Sequence, residues 1–122
     1  MLQGRTKLKG VHPDLVKVVN RAWEIAPGSF RITCGLRTLE EQRRLYAAGA
    51  TTTMNSRHLT GHAVDVVCLV EGKVRWDWPL YSRLSVVFKN AADELNIPIV
   101  WGGDWKTFKD GPHYELPWKH YR

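Results

Sequence analysis

The chain contains only two cysteines, Cys34 and Cys68, and neither belongs to a Cys-x-x-Cys pair. A zinc finger or ribbon is therefore excluded; the thiols read as small buried residues or as one disulfide. No stretch is apolar for long enough to span a bilayer, so stable membrane insertion is not expected. The N-terminal MLQGRTKLKGVHPDL lacks the apolar run of a signal peptide, so synthesis in the cytoplasm is expected. Repeats, low-complexity tracts and linkers are missing too, and residues 1–122 are expected to form a single domain. Acidic residues are in the minority: 18 Lys+Arg against 12 Asp+Glu give a net charge of +6. This favours an anionic partner such as nucleic acid, a membrane surface or an acidic wall polymer. The cations are scattered, however, with small groups only at the start (Arg5, Lys7, Lys9) and end (Lys119, His120, Arg122). Nucleic acid is therefore not the expected partner.

What is present suits an ordered core: 43% of residues are hydrophobic and 25% charged. Pro13 and Asp14 open a helix whose apolar stripe is Leu15, Val18, Val19, Ala22 and Ala26; Pro27-Gly28 ends it. Phe30 to Cys34 alternates as a strand. Thr38 and Glu41 form a capping box for a second helix that stops at Gly49, which puts Arg37 at a strand-to-helix junction. Residues 50–57 read as a loop, Ala63 to Val70 as a strand, and Val74-Arg75-Trp76 as a short return strand. A third helix, starting near Asp77 or Pro79 and reaching about Leu95, presents Tyr81, Leu84, Val87, Phe88, Ala91 and Leu95 on one face. Ile97 to Trp101 is extended, at a sheet edge or a bulge because of Pro98, and His113 to Leu116 is a last short strand. This order predicts an α+β fold, a small antiparallel sheet with about three helices.

The chemistry concentrates in Ser56-Arg57-His58-Leu59-Thr60-Gly61-His62-Ala63-Val64-Asp65. In a strand, Val64, Val66 and Cys68 face one way as a core row, while Ala63, Asp65 and Val67 face the other. A carboxylate inside an apolar strand is costly unless paired, hydrogen-bonded or metal-bound. Gly61 lets the chain double back, so that His58 can meet Asp65, and His113 opens another strand after Asp110-Gly111-Pro112. Two imidazoles and a carboxylate suit a catalytic zinc, which takes three protein ligands and leaves one position open. Spacing alone leaves ordinary hydrogen-bonded residues as an equal reading. His58 and His62 are four apart, but Leu59, Thr60 and Gly61 between them rule out a helical His-Glu-x-x-His site.

Three separated motifs add a resemblance. Ser56, His58, Gly61, Ala63 and Asp65 in S-x-H-x-x-G-x-A-x-D, the run Trp101 to Leu116 (WGGDWKTFKDGPHYEL), and Gly35-Leu36-Arg37-Thr38 occur in one order along most of the chain. They resemble the family of zinc D-Ala-D-Ala and L-Ala-D-Glu peptidases, in its L-alanyl-D-glutamate endopeptidase branch. The resemblance implies a zinc D-Ala-D-Ala peptidase/hedgehog-like fold and zinc (Zn2+) held by His58, Asp65 and His113. It implies Asp110 as the general base, where many relatives carry the longer Glu. It gives Arg37 to the substrate carbonyl and Ser56 a supporting role at the substrate, and His62 inherits nothing. Glu115, on the His113 face of its strand, is a candidate partner for the second nitrogen of that ring; a solvated carboxylate is the alternative.

The implied substrate is the stem peptide of bacterial peptidoglycan. The implied setting is a monomeric phage lysis enzyme made in the host cytoplasm and let through to the wall by a separate membrane-permeabilising protein. Trp101, Trp105 and Trp118 are candidates for the groove border, with packing as the expected role of at least two. The same chemistry on a D-Ala-D-Ala bond, and a non-catalytic zinc-stabilised wall-binding domain, are the alternative functions.

Overall fold

A computed structural model describes residues 1–51 and 53–121; Thr52 of the expected loop and Arg122 of the basic terminus lie outside the described residues. A 3-10 turn at Arg5–Leu8 comes first. Helix α1 (Pro13–Ile25) follows, with the His12 ring accepting the Asp14 backbone N–H as its N-cap. Strand β1 spans Phe30–Cys34, α2 spans Leu39–Ala47, β2 spans Ala63–Val70 and β3 spans Lys73–Arg75. Helix α3 covers Trp78–Leu95, and β4 (Val100–Trp101) and β5 (His113–Glu115) close the chain. The fold is α+β as the pattern predicts: three helices and one antiparallel sheet of five strands, ordered β1-β2-β5-β4, with β3 also on β2.

Strand β2 is the axis of the sheet. One edge pairs with β1 over Asp65 to Cys68; the other is shared by β5 at Ala63 to Asp65 and β3 at Cys68 to Val70. Its inner row is the expected one, Val64, Val66 and Cys68, buried together with Phe30, Ile32 and Tyr114. Helices α1 and α3 cover this face with Leu15, Val18, Val19, Ala22, Leu84, Phe88 and Ala91. Phe88 stacks on Tyr114 with ring centroids 3.9 Å apart. Such aromatic pairs contribute about 0.5–1.5 kcal/mol beyond the area they bury.

Two details differ from the sequence expectation. The buried face of α3 takes in Ser85 and Ala92, while Leu95 in the last turn is more than a third exposed. Ser85 fits the core because its hydroxyl donates to the Ser82 carbonyl one turn back, leaving no donor unsatisfied. Both cysteines are free. Strand β4 lies at the sheet edge and begins two residues after Pro98. Among the described residues, no helix is long and apolar enough to cross a membrane.

Tyr114 is fully buried, and its hydroxyl has no hydrogen-bond partner among the described residues. A buried, unpaired hydroxyl opposes folding by about 1–3 kcal/mol. Tyr114→Phe is therefore expected to be as stable as the unaltered protein or more so. A fall in denaturant midpoint equivalent to more than about 1 kcal/mol would show that the hydroxyl is satisfied in solution.

Candidate metal centre and cleft

The site lies on the face of the sheet opposite the helical core. Asp65 stands opposite His113 across β2 and β5, and opposite Cys34 across β1 and β2. Three adjacent strands thus place Cys34, Asp65 and His113 in one row. His58 joins from a 3-10 turn, Arg57–Thr60, between α2 and β2. Ser56 caps this turn by accepting the His58 backbone N–H, and Gly61 closes it in the left-handed region at φ 75°. A Cβ at Gly61 would stand 2.2 Å from the Gly10 carbonyl oxygen, so the turn needs glycine twice over. The reversal expected at Gly61 is what brings His58 over Asp65.

Both imidazoles approach the same carboxylate oxygen. His113 Nδ1 is 3.1 Å and His58 Nε2 3.2 Å from Asp65 Oδ1. The far nitrogens are held elsewhere: His58 Nδ1 is 2.8 Å from the Gly35 carbonyl, and His113 Nε2 is 2.7 Å from Glu115 Oε1. With an N–H donated to each of these oxygens, the near nitrogen of each ring is left to hold a proton or a metal ion against Asp65. Glu115 is thus placed as its strand parity suggests. His58 Nε2 is buried and, despite its closeness to Asp65, has no hydrogen bond.

Charge follows from this packing. Burial disfavours protonation of His58, but the adjacent Asp65 carboxylate and Cys34 thiol outweigh it and push the ring up to about 10. His113 rises to about 9 in the same way, burial being outweighed by Asp65 and Glu115. Burial would raise Asp65, yet the two imidazoles hold it well below the usual carboxylate range. Asp110 moves oppositely: burial first and the negative Asp65 second raise its carboxyl. That makes it the more basic of the two acids.

The donor set fits a zinc ion. Two nitrogens and a carboxylate oxygen are ordinary zinc ligands, and ligands about 2.0–2.1 Å from a tetrahedral zinc stand roughly 3.3 Å apart, close to the distance of each imidazole from Asp65, although the two imidazoles fall in different groups of mutually close donors. The orphaned His58 Nε2 and the clamped far nitrogens have the same explanation. Ligating atoms of Asp65, Asp110 and His113 lie within 4.8 Å of one another, as do those of Cys34, His58 and Asp65. The two trios meet at Asp65.

Arg37 and Asp110 flank this centre. Arg37 Nη1 donates to Gln42 Oε1 at 2.8 Å, and Nη2 points to Cys34 Sγ at 3.5 Å and lies 3.9 Å from Asp65 Oδ2. All the sequence-predicted site residues, His58, Asp65, His113, Asp110, Arg37 and Ser56, line a single cleft of about 910 Å3. His62 instead pairs with the Thr60 hydroxyl, and His120 is exposed. Trp105 and Trp118 line the cleft, whereas Trp101 is packed inside with its indole N–H on the Gly111 carbonyl. Packing therefore accounts for one of the three tryptophans instead of two, because Trp101 alone has its polar tip satisfied indoors.

Three contributors escaped the sequence reading. Gln42 is fully buried, accepts from Arg37 and donates to the Thr53 carbonyl at 2.6 Å, so it sets both the guanidinium and the loop. Its signal is an amide on the inward face of a short helix, five residues after Arg37. Arg57, 3% exposed, donates to the Leu116 and Tyr121 carbonyls under the Trp118 ring, and ties the motif turn to the C-terminal segment. Cys34 reaches the site because a bulge between Ile32 and Cys34 shifts the register of β1. Plain alternation from Ile32 would have put it in the core.

An antiparallel sheet with α1 and α3 packed on one face is the zinc D-Ala-D-Ala peptidase-like fold. VanXYg, a vancomycin-resistance D,D-dipeptidase, shares the fold over 87% of this chain and 50% of its own, with TM-score 0.59 and 21% identity. The chain belongs to the phage L-alanyl-D-glutamate peptidase family, whose model matches residues 2–116. It is 33% identical over 108 residues to the L-alanyl-D-glutamate peptidase of Escherichia phage T5, spanning 85% of this chain and 79% of that one. Another curated relative is matched over only 30% of its own length. The crystal structure of the Serratia marcescens L-Ala D-Glu endopeptidase ChiX superposes with TM-score 0.92 and 45% identity, over 98% of this chain and 90% of that one. The family is one of hydrolases that act on peptidoglycan.

The Glu115 contact has a measurable consequence. Partners that orient a ligating imidazole typically contribute about 10–100-fold in metal affinity. Glu115→Gln is expected to bind Zn2+ weaker by that factor in competition with a chelator, with its circular dichroism unchanged. Equal affinity would show that Glu115 does not orient His113.

Proposed function

We propose that this chain is a zinc-dependent endopeptidase that hydrolyses the L-Ala–D-Glu bond of the peptidoglycan stem. The reading rests on one observation above all: two buried imidazoles converge on Asp65, their far nitrogens clamped, with Asp110 and Arg37 in the same cleft. His58, Asp65 and His113 hold the ion. Zinc there supplies Lewis acidity toward the scissile carbonyl and lowers the pKa of the attacking water.

The chain's own residues do the rest. Asp110, made more basic by burial and by Asp65, accepts the water proton on its carboxylate and delivers it to the leaving D-Glu amine. Arg37, held by Gln42, directs N–H groups to the oxygen that gains charge as the carbonyl is attacked. Ser56 acts through the turn it caps, fixing His58 at the substrate's edge. A non-catalytic binding module has no use for an acid with a raised pKa beside the donors. Residues 1–122 act as one domain and as a monomer, which meets the wall through a separate membrane-permeabilising protein. The net charge of +6 favours encounter with an anionic wall.

Purified protein is expected to carry about one zinc per chain and to clear peptidoglycan suspensions until a chelator is added. Mass spectrometry of the digest should find the new amine on D-Glu; an amine on D-Ala would move the reading to the D-Ala-D-Ala bond. Arg37→Ala is expected to keep its zinc and lose about 10²–10³ in kcat. Asp110→Asn should likewise retain zinc and fall to background hydrolysis. Undiminished turnover in either variant would remove that residue from the mechanism.

A further inference from the structure

Phe108 is, after Met1, the most exposed large apolar side chain among the described residues, at 76%. It lines the cleft two residues before Asp110. Its backbone lies at φ 52°, the left-handed region that strains a bulky L-residue. Two other described non-glycine residues have positive φ, and each is explained by its element. Glu71 turns the β2–β3 hairpin with Gly72, and Asn96 caps α3. Phe108 belongs to no helix or strand, and its ring adds little burial to the fold. The exposed ring lines the same cleft as Trp105 and the half-exposed Trp118.

The covalent structure of the proposed substrate, on which this step rests, says what must lie there. The stem's L-Ala is acylated on its nitrogen by the lactyl group of a muramyl sugar. The scissile carbonyl belongs to that same L-Ala. The sugar therefore stands one alanine and one lactyl unit from the reacting carbon. A lactyl unit has the backbone length of one residue, so the span is at most about 7 Å, at 3.3–3.6 Å per residue. Phe108 is two residues from Asp110, and the chain between them has the same reach, about 7 Å. A pyranose presents a face of C–H bonds, and the negative face of an aromatic ring attracts such positive edges.

We propose that Phe108 is the platform of a muramyl-sugar subsite, on which the glycan ring bearing the stem stacks while the L-Ala–D-Glu bond is cut. The subsite makes the enzyme prefer stems still attached to the glycan over released peptides.

The test compares a disaccharide-tetrapeptide muropeptide with the same tetrapeptide carrying an N-acetyl group in place of the lactyl sugar. The unaltered enzyme should favour the muropeptide in kcat/KM. In Phe108→Ala that preference should shrink about tenfold, mainly through KM, as for the loss of one aromatic contact. Phe108→Tyr should restore it. A preference equal in Phe108→Ala and the unaltered enzyme, or none in the unaltered enzyme, would overturn the subsite while leaving the peptidase assignment intact. A change confined to the sedimentation coefficient would overturn it in favour of self-association through this ring. If neither substrate yields a D-Glu amine, the assignment of the bond fails first, and the subsite with it.

Discussion

A carboxylate in the middle strand of the sheet is the constraint from which the active face follows. Asp65 is ionised in a setting where an unpaired charge would be disfavoured by several kcal/mol. It is tolerated because two imidazoles and, at 3.9 Å, a guanidinium surround it. Each of those groups must then come from an element that can reach β2 on that face. His113 does so from the neighbouring strand, His58 from a turn that glycine reverses, and Arg37 from the end of β1. Ala63, two residues before Asp65 on the same face, adds little bulk beside them. The opposite face of the same strand carries Val64, Val66 and Cys68 into the core. One strand therefore anchors both the apolar core and the charged cluster. Movement of the ligands relative to the scaffold would require the core to move as well.

The sequence carried this division plainly wherever period and chemistry agreed. The alternation in Ala63 to Val70 separated the core row from the Asp65 row, and the capping box at Thr38 fixed the start of α2. Strand parity even placed Glu115 beside His113. Legibility failed where a single residue breaks the period. The bulge after Ile32 turns Cys34 from the core face to the site face, and no alternation rule reports a bulge in advance. Gln42 was hidden for a different reason. A polar residue on the inward face of a short helix looks like an ordinary surface amide until its two partners, Arg37 and the Thr53 carbonyl, are seen. Arg57 sits at an unconstrained position of the histidine motif, so its tie to the C-terminal segment is a tertiary fact. At the end of α3, helical periodicity named Leu95, but the body of the protein stops short of it and the small Ala92 takes the inward place.

The site also divides by element type. His113 and Asp65 ride on strands, whereas Asp110 rides on the segment between β4 and β5. The acid proposed as catalytic, being on a loop, has more freedom than the strand residues proposed as ligands, and aspartate reaches one methylene less far than glutamate. Both facts would separate the acid from the reacting centre unless the loop were pressed inward. Gly102 supplies that pressure. Its carbonyl accepts the Asp110 backbone N–H at 3.0 Å. A Cβ there would lie 2.4 Å from the Asp110 carbonyl oxygen and 3.0 Å from the His113 Cβ. The missing side chain lets the loop lie flat against the start of β5, and the Asp110 carbonyl accepts the His113 N–H on the far side of the turn. A larger residue at Gly102 would press on the Asp110 backbone and on the His113 side chain together, and so disturb the acid and one of the imidazoles at once.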